Sequence, residues 1–178
     1  MELPALASVD QLGAWMQTEP DELPPGAALV LDVASSIVRR EARQNFTRGT
    51  SSALLYPRDG WALLPQRPVV SVEDVRAGGQ TVHPDRWRLV RDRLRLLDDD
   101  QAVTVTYTHG YSATPGDVLA VVLSAAARVL NNPSDLRQES AGSVSVTYSA
   151  ETIGASLAPA DRDLLARYRK RVAVVGLR

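Results

Sequence analysis

VTVTYTHGYSATPGDVLAVVLSAAARVLNNP, residues 103–133, contains both patterns from which this chain is built. Val103 to Tyr107 alternates apolar and polar side chains, the period of a half-buried strand. His109-Gly110-Tyr111 then reads as a turn, and Thr114-Pro115-Gly116-Asp117 starts a helix. Thr114 suits the N-cap, Pro115 the first helical position, and Asp117 the positive end of the dipole. The helix ends near Asn131-Asn132-Pro133, because the residue before proline avoids the helical region. Beyond the cap its only polar side chains are Ser124 and Arg128, on one stripe with Asp117 and Val121. A helix apolar on most sides is buried centrally. Ala125-Ala126-Ala127 allows another helix to come close. Two arrangements cover it: one chain wraps it with its other helices and sheet, or one of its faces lies in a subunit interface. The scarcity of other helices favours the second, with Val118, Val122, Ala125, Ala126, Arg128 and Val129 at the contact.

Working outward from there, Ser8-Val9-Asp10-Gln11 fits a capping box. A short helix to about Gln17 follows. A second runs from about Pro25 to Gln44, with Val30, Val33, Ala34 and Ile37 as its buried stripe. Between Ser51 and Thr108 the period becomes strand-like. Pro57-Arg58-Asp59-Gly60 reads as a hairpin turn between residues 53–56 and 61–64. Gly78-Gly79 and Arg91-Asp92-Arg93 read as two more turns. Ser134 to Ser140 reads as a polar loop, and Gly142 to Tyr148 as a lone strand or ribbon. A helix is expected over Pro159–Lys170, carrying Leu164, Leu165 and Tyr168, and then an apolar, β-prone tail. The fold class expected is α+β. Residues 1–49 and 112–170 form a small helical bundle, 50–111 an inserted, mostly antiparallel β subdomain, and 171–178 an extended tail.

The 178 residues include no cysteine, which excludes disulfides and thiolate metal sites. The formal net charge of −1 gives no global attraction to nucleic acid or acidic membranes. The start, MELPALASVD, lacks the basic and apolar regions of a signal peptide. The longest apolar run, Val118 to Ala127, is too short to span a bilayer. The expectation is a soluble chain with no membrane partner. Charge is unevenly placed: Glu2, Asp10, Glu19, Asp21, Glu22 and Asp32 precede the first base, Arg39, whereas Arg162, Arg167, Arg169, Lys170, Arg171 and Arg178 crowd the other end. Opposite ends of successive copies meeting head to tail would build rings where the rotation closes.

Catalytic and metal signatures are absent. His83 and His109 have no ligand partner at helical spacing. Asp98-Asp99-Asp100 lacks the spaced oxygens and turn glycine of a hard-cation loop. No phosphate-cradling loop or nucleophile elbow occurs. No catalytic residue, cofactor or metal is therefore expected. Arg86, Arg88, Arg91, Arg93 and Arg95 form a basic ribbon whose alternation would place guanidinium groups on one sheet face. Such a face meets phosphates or an acidic neighbour, which leaves a DNA-binding protein as the alternative function. Trp15, Trp61 and Trp87 are scattered and make no stacking platform.

Several segments, taken in order, resemble the head-to-tail connector family of tailed phages, also called adaptor or head completion proteins. They are the capped first helix, LDVASSIVRREA at 31–42, LPQRPVVSVEDVRAGGQTV at 64–82, the 103–133 run, ESAGSVSVTYS at 139–149 and LAPADRDLLARYR at 157–169. The resemblance implies a structural virion protein, not an enzyme. It implies a ring, usually dodecameric, docked beneath the portal, assembled in the host cytoplasm and located in the virion neck. That ring extends the DNA channel, passes close to genomic DNA, and offers a surface to the next neck or tail-terminator protein. The tail, through Val172, Val174, Val175 and Leu177, or the strand 142–149, would then pair with the portal or a neighbouring chain by strand addition.

Overall fold

The computed structural model describes residues 3–97, 101–132, 138–141, 144–147 and 157–169. The fold is α+β. The elements run α1 (Val9–Met16), α2 (Ala27–Ala42), β1 (Gly49–Leu55), β2 (Trp61–Leu63), β3 (Val69–Ala77), β4 (Gln80–Thr81), β5 (Trp87–Val90), β6 (Arg93–Leu96), β7 (Val103–His109), α3 (Gly116–Asn131), β8 (Gln138–Ala141), β9 (Val144–Thr147) and α4 (Pro159–Ala166). Short 3-10 turns lie at Pro20–Glu22 and Pro84–Arg86. The chain divides into two compact units: residues up to Gln44 together with those from Thr114 on, and Asn45–Ala113.

In the helical unit, α1 starts as the capping box requires. Ser8 Oγ accepts from the Gln11 N–H at 3.1 Å, and Gln11 Oε1 accepts from the Ser8 N–H at 2.9 Å. α3 packs on α2, α1 and α4. The segment before α1 is pinned on both sides: the Leu6 N–H donates to Ser35 Oγ at 2.9 Å, and Thr114 Oγ1 donates to the Leu6 carbonyl at 2.8 Å. Thr114 therefore does not cap α3, whose N-cap position is Pro115. The face that α2 buries also differs from the expected stripe. Ala27, Leu31, Ala34, Ser35, Val38 and Ala42 are buried, while Val33 is exposed and Val30 and Ile37 are half-buried. The stripe is rotated by about one residue, and only Ala34 is common to both.

The β unit is two antiparallel sheets across one core. One has the order β1-β7-β3-β4, the other β2-β6-β5. Val75, Val103, Val105 and Tyr107 from the first sheet meet Ala62, Leu94 and Leu96 from the second and Leu64 just after β2. β7 is central, and its alternation is the expected one: Val103, Val105, Tyr107 and His109 are buried, and the threonines between them face out. Tyr107 is fully buried and still satisfied, since its hydroxyl accepts from the Gln66 N–H at 3.0 Å.

Two of the expected turns form. Gly78 and Gly79, at φ 56° and 83°, close β3 onto β4. Positive φ at both central residues is the geometry of a two-residue hairpin loop. Arg91-Asp92 closes β5 onto β6, with Val90 opposite Arg93. The third turn is tight, with Arg58 and Trp61 exchanging both backbone hydrogen bonds. However, it does not join a hairpin. β1 pairs along its length with β7, and β2 pairs with β6 in the other sheet. Residues 138–140, expected in a loop, belong with Ala141 to β8, which forms a two-stranded ribbon with β9.

Candidate assembly surfaces

α3 is a core helix. Val118, Val122, Ala125 and Ala126 are each 0% exposed. They present no surface to a neighbour, so the expectation of a subunit contact through them is corrected. The helices of the same chain are sufficient to cover α3. Arg128 is also engaged at home: its Nη2 lies 2.8 Å from Asp161 Oδ2, and the same carboxylate oxygen accepts from the Ala158 N–H at 3.0 Å, at the start of α4. One carboxylate thus ties α3 to α4 and caps α4. Val129 is half-buried.

The basic residues after α4 are similarly occupied. Arg167 Nη2 lies 2.6 Å from Asp117 Oδ2, and Tyr168 donates its hydroxyl to Asp117 Oδ1 at 2.8 Å. Arg169 pairs with the Glu41 carboxylate and donates through Nε to the Glu41 carbonyl at 3.0 Å. Burial raises the Tyr168 phenol pKa, so the hydroxyl remains a donor. Arg167 and Arg169 thus spend their charge inside the unit, whereas Arg162 is exposed and makes no ion pair among the described residues. Residues 170–178, which include Val172, Val174, Val175 and Leu177, lie outside the described residues, as do Asp98, Asp99 and Asp100.

The five arginines of the ribbon do not all share a face. Arg86 is in a 3-10 turn, and Arg91 sits at the hairpin tip with φ 56°. Arg88, Arg93 and Arg95 do come together. In the register of β2-β6-β5, Arg88 stands opposite Arg95, and Val90 opposite Arg93. On the other side of β6, Trp61 stands opposite Arg95 and Leu63 opposite Arg93. The intervening Ala62, Leu94 and Leu96 point into the core. The outward face is therefore Arg88, Arg93 and Arg95 interleaved with Trp61, Leu63 and Val90. The Arg95 guanidinium lies 5.2 Å from the Trp61 ring centroid, a cation–π contact. Like charges directly opposite on neighbouring strands are destabilising, yet Arg88, Arg91 and Arg93 make no ion pair among the described residues. Alternation pointed to the arginines. Trp61, Leu63 and Val90 were missed, because only the pairing of β2 with β6 places them beside those charges.

An acidic counterpart exists in the helical unit. Asp10, Glu19, Asp21 and Glu22 are all exposed and make no ion pair among the described residues. Asp10, Glu19 and Glu22 line one open depression with Gly13 and Gln17. Gly13 keeps that segment compact: a Cβ there would lie 2.7 Å from the Thr18 carbonyl oxygen.

His109 is structural. It is 3% exposed, its Nε2 is 2.8 Å from Ser51 Oγ, and its Nδ1 has no hydrogen-bond partner. Burial lowers its pKa below the ordinary imidazole value. The unfolded chain therefore takes up this proton first as pH falls, beginning near the free imidazole range of about 6.5. The stability that neutral His109 contributes is complete above that range and is lost as pH falls through the lower folded value. Melting curves of the whole chain from pH 7.5 downward should show this loss, and His109→Gln should flatten it. An unchanged slope in the variant would assign the pH dependence to carboxylates instead. His83 pairs with Asp85 at the surface, and no group of three metal-ligating side chains occurs among the described residues.

No protein-family model matches the chain, and no curated protein sequence does. Solved structures do. The neck of the native gene transfer agent particle, computed with C12 symmetry, contains a chain 20% identical, covering 99% of both chains with a TM-score of 0.58. The neck of the empty particle, computed with C6 symmetry, contains one 21% identical, covering 96% of this chain and 93% of that one with a TM-score of 0.61. The virion of the native particle contains one 20% identical, covering 99% of both, with a TM-score of 0.58. Over nearly its whole length, this chain has the fold of chains in gene transfer agent necks and virions.

Proposed function

We propose that the chain is a structural neck protein of a tailed-phage-like particle: a head-to-tail adaptor that forms a ring beneath the portal, extends the DNA channel and receives the next neck or tail protein. The observation that carries this reading is fold likeness across almost the full length of both chains, in necks solved with C12 and C6 symmetry. A twelve-membered ring is the copy number that matches the first. No described helix is long and apolar enough to cross a membrane. The reading also assigns residues 171–178, through Val172, Val174, Val175 and Leu177, to strand addition on the portal or a neighbouring chain.

Sedimentation of the purified protein, alone and with portal rings, tests the proposal. The expected result is a ring on the portal and a smaller species alone. Deletion of 171–178 should leave a folded protein that no longer joins heads to tails. Infectious particles at wild-type levels after that deletion would refute the tail's role, and a protein that never joins the portal would refute the adaptor reading.

A further inference from the structure

We propose that the outward face of the β2-β6-β5 sheet docks on the acidic α1 to 3-10 segment of the next copy of this chain, through Arg88 and Arg93, with Arg91 at the adjoining hairpin tip, against Asp10, Glu19, Asp21 and Glu22. The inference rests on the ring reading above and names the contact that closes the ring. It replaces the expected meeting of the two chain ends, because Arg167 and Arg169 are paired inside their own unit.

Three observations carry it. First, both surfaces are exposed and neither finds ion-pair partners among the described residues. Arg88 facing Arg95 across the strands is a repulsion that an incoming carboxylate relieves. Second, the basic face is not simply cationic. Trp61 and Val90, 39% and 41% exposed, stand among its charges. Arginine with tryptophan and aliphatic side chains is the composition of a protein interface core. Phosphate contacts require only the charges, and the chain as a whole carries a net charge of −1. Third, the two surfaces differ, so the contact is heterologous, the type that generates rings when the rotation closes.

Reciprocal charge reversal tests the pairing. One variant carries Arg88→Glu and Arg93→Glu, and the other carries Asp21→Arg and Glu22→Arg. All four positions are exposed, so both variants should melt like the wild type. The Gln and Asn replacements serve as milder versions should either one fold poorly. Assembly is followed by sedimentation at low salt, with portal rings present as template. Each variant alone should assemble about tenfold more weakly or worse, since like charges then face each other. An equimolar mixture should restore assembly, because every junction again pairs opposite charges, and a single chain carrying all four changes should assemble as well. Failure of the mixture to rescue, or wild-type assembly by either variant alone, would overturn the proposal while leaving the ring reading intact. Loss of duplex DNA retention by the Arg88/Arg93 variant with normal assembly would overturn it in favour of phosphate contact. A wild-type protein that forms no oligomer even on portal rings removes the ring reading itself, and this contact with it.

Discussion

Val122→Asp is expected to cost the protein its helical fold and not only its association with other copies. Val122 is 0% exposed on α3, in a helix face where Val118, Ala125 and Ala126 are also 0% exposed. A carboxylate placed there is taken out of water. It must either remain charged in an apolar site or take up a proton, with its pKa raised by about 3–5 units. At about 1.4 kcal/mol per unit, that is on the order of 4–7 kcal/mol before the lost valine packing is counted. The whole stability of a domain is roughly 5–15 kcal/mol. Far-ultraviolet circular dichroism and thermal melting of the full chain should show loss of helix or a large drop in midpoint. A helical protein with a wild-type midpoint that fails only to assemble would return α3 to the subunit interface.

Gly110→Ala should be the most damaging single methyl group in the β unit. Gly110 has φ 90°, and a Cβ there would lie 2.3 Å from the Thr47 carbonyl oxygen and 2.7 Å from its carbon. Neither side can yield easily. The Gly110 N–H donates to the Pro68 carbonyl at 2.9 Å, and the Tyr111 N–H donates to the Phe46 carbonyl at 2.8 Å. Backbone strain and overlap together imply a loss on the order of 2–5 kcal/mol. Gly78→Ala is the control. Its φ is also positive, at 56°, but no atom lies within 4 Å of the added carbon, so only the conformational penalty of about 1–2 kcal/mol applies. Urea unfolding of both variants measures the difference. Equal losses would mean that the collision with Thr47 is relieved at no cost.

What could be read from neighbours along the chain was read correctly where neighbours decide the outcome. The Ser8–Gln11 capping box involves residues three apart, and the Gly78-Gly79 and Arg91-Asp92 loops involve residues adjacent in sequence. The Pro57–Gly60 turn shows where this reading ends. Its local hydrogen bonds form, yet its flanking strands part, because β1 finds its partner in β7, 58 residues away for the Thr50–Thr108 pair. The buried stripe of α2 failed for a related reason. Val30, Val33 and Ile37 are as apolar as Leu31 and Val38, and the side that α3 occupies decides between them.

The same division holds for function. By itself the sequence determined the kinds of element, the absence of cysteine chemistry, the presence of one acidic and one basic region, and an ordered set of segments resembling a connector protein. These follow from composition and short-range periodicity, which act over a few residues. Only the tertiary structure decided that α3 is covered within its own chain, that Arg167 and Arg169 are neutralised there, and that Arg88, Arg93 and Trp61 share one open face. Burial and ion pairing depend on which distant segment arrives beside a given residue, and strand register and helix packing set that arrival.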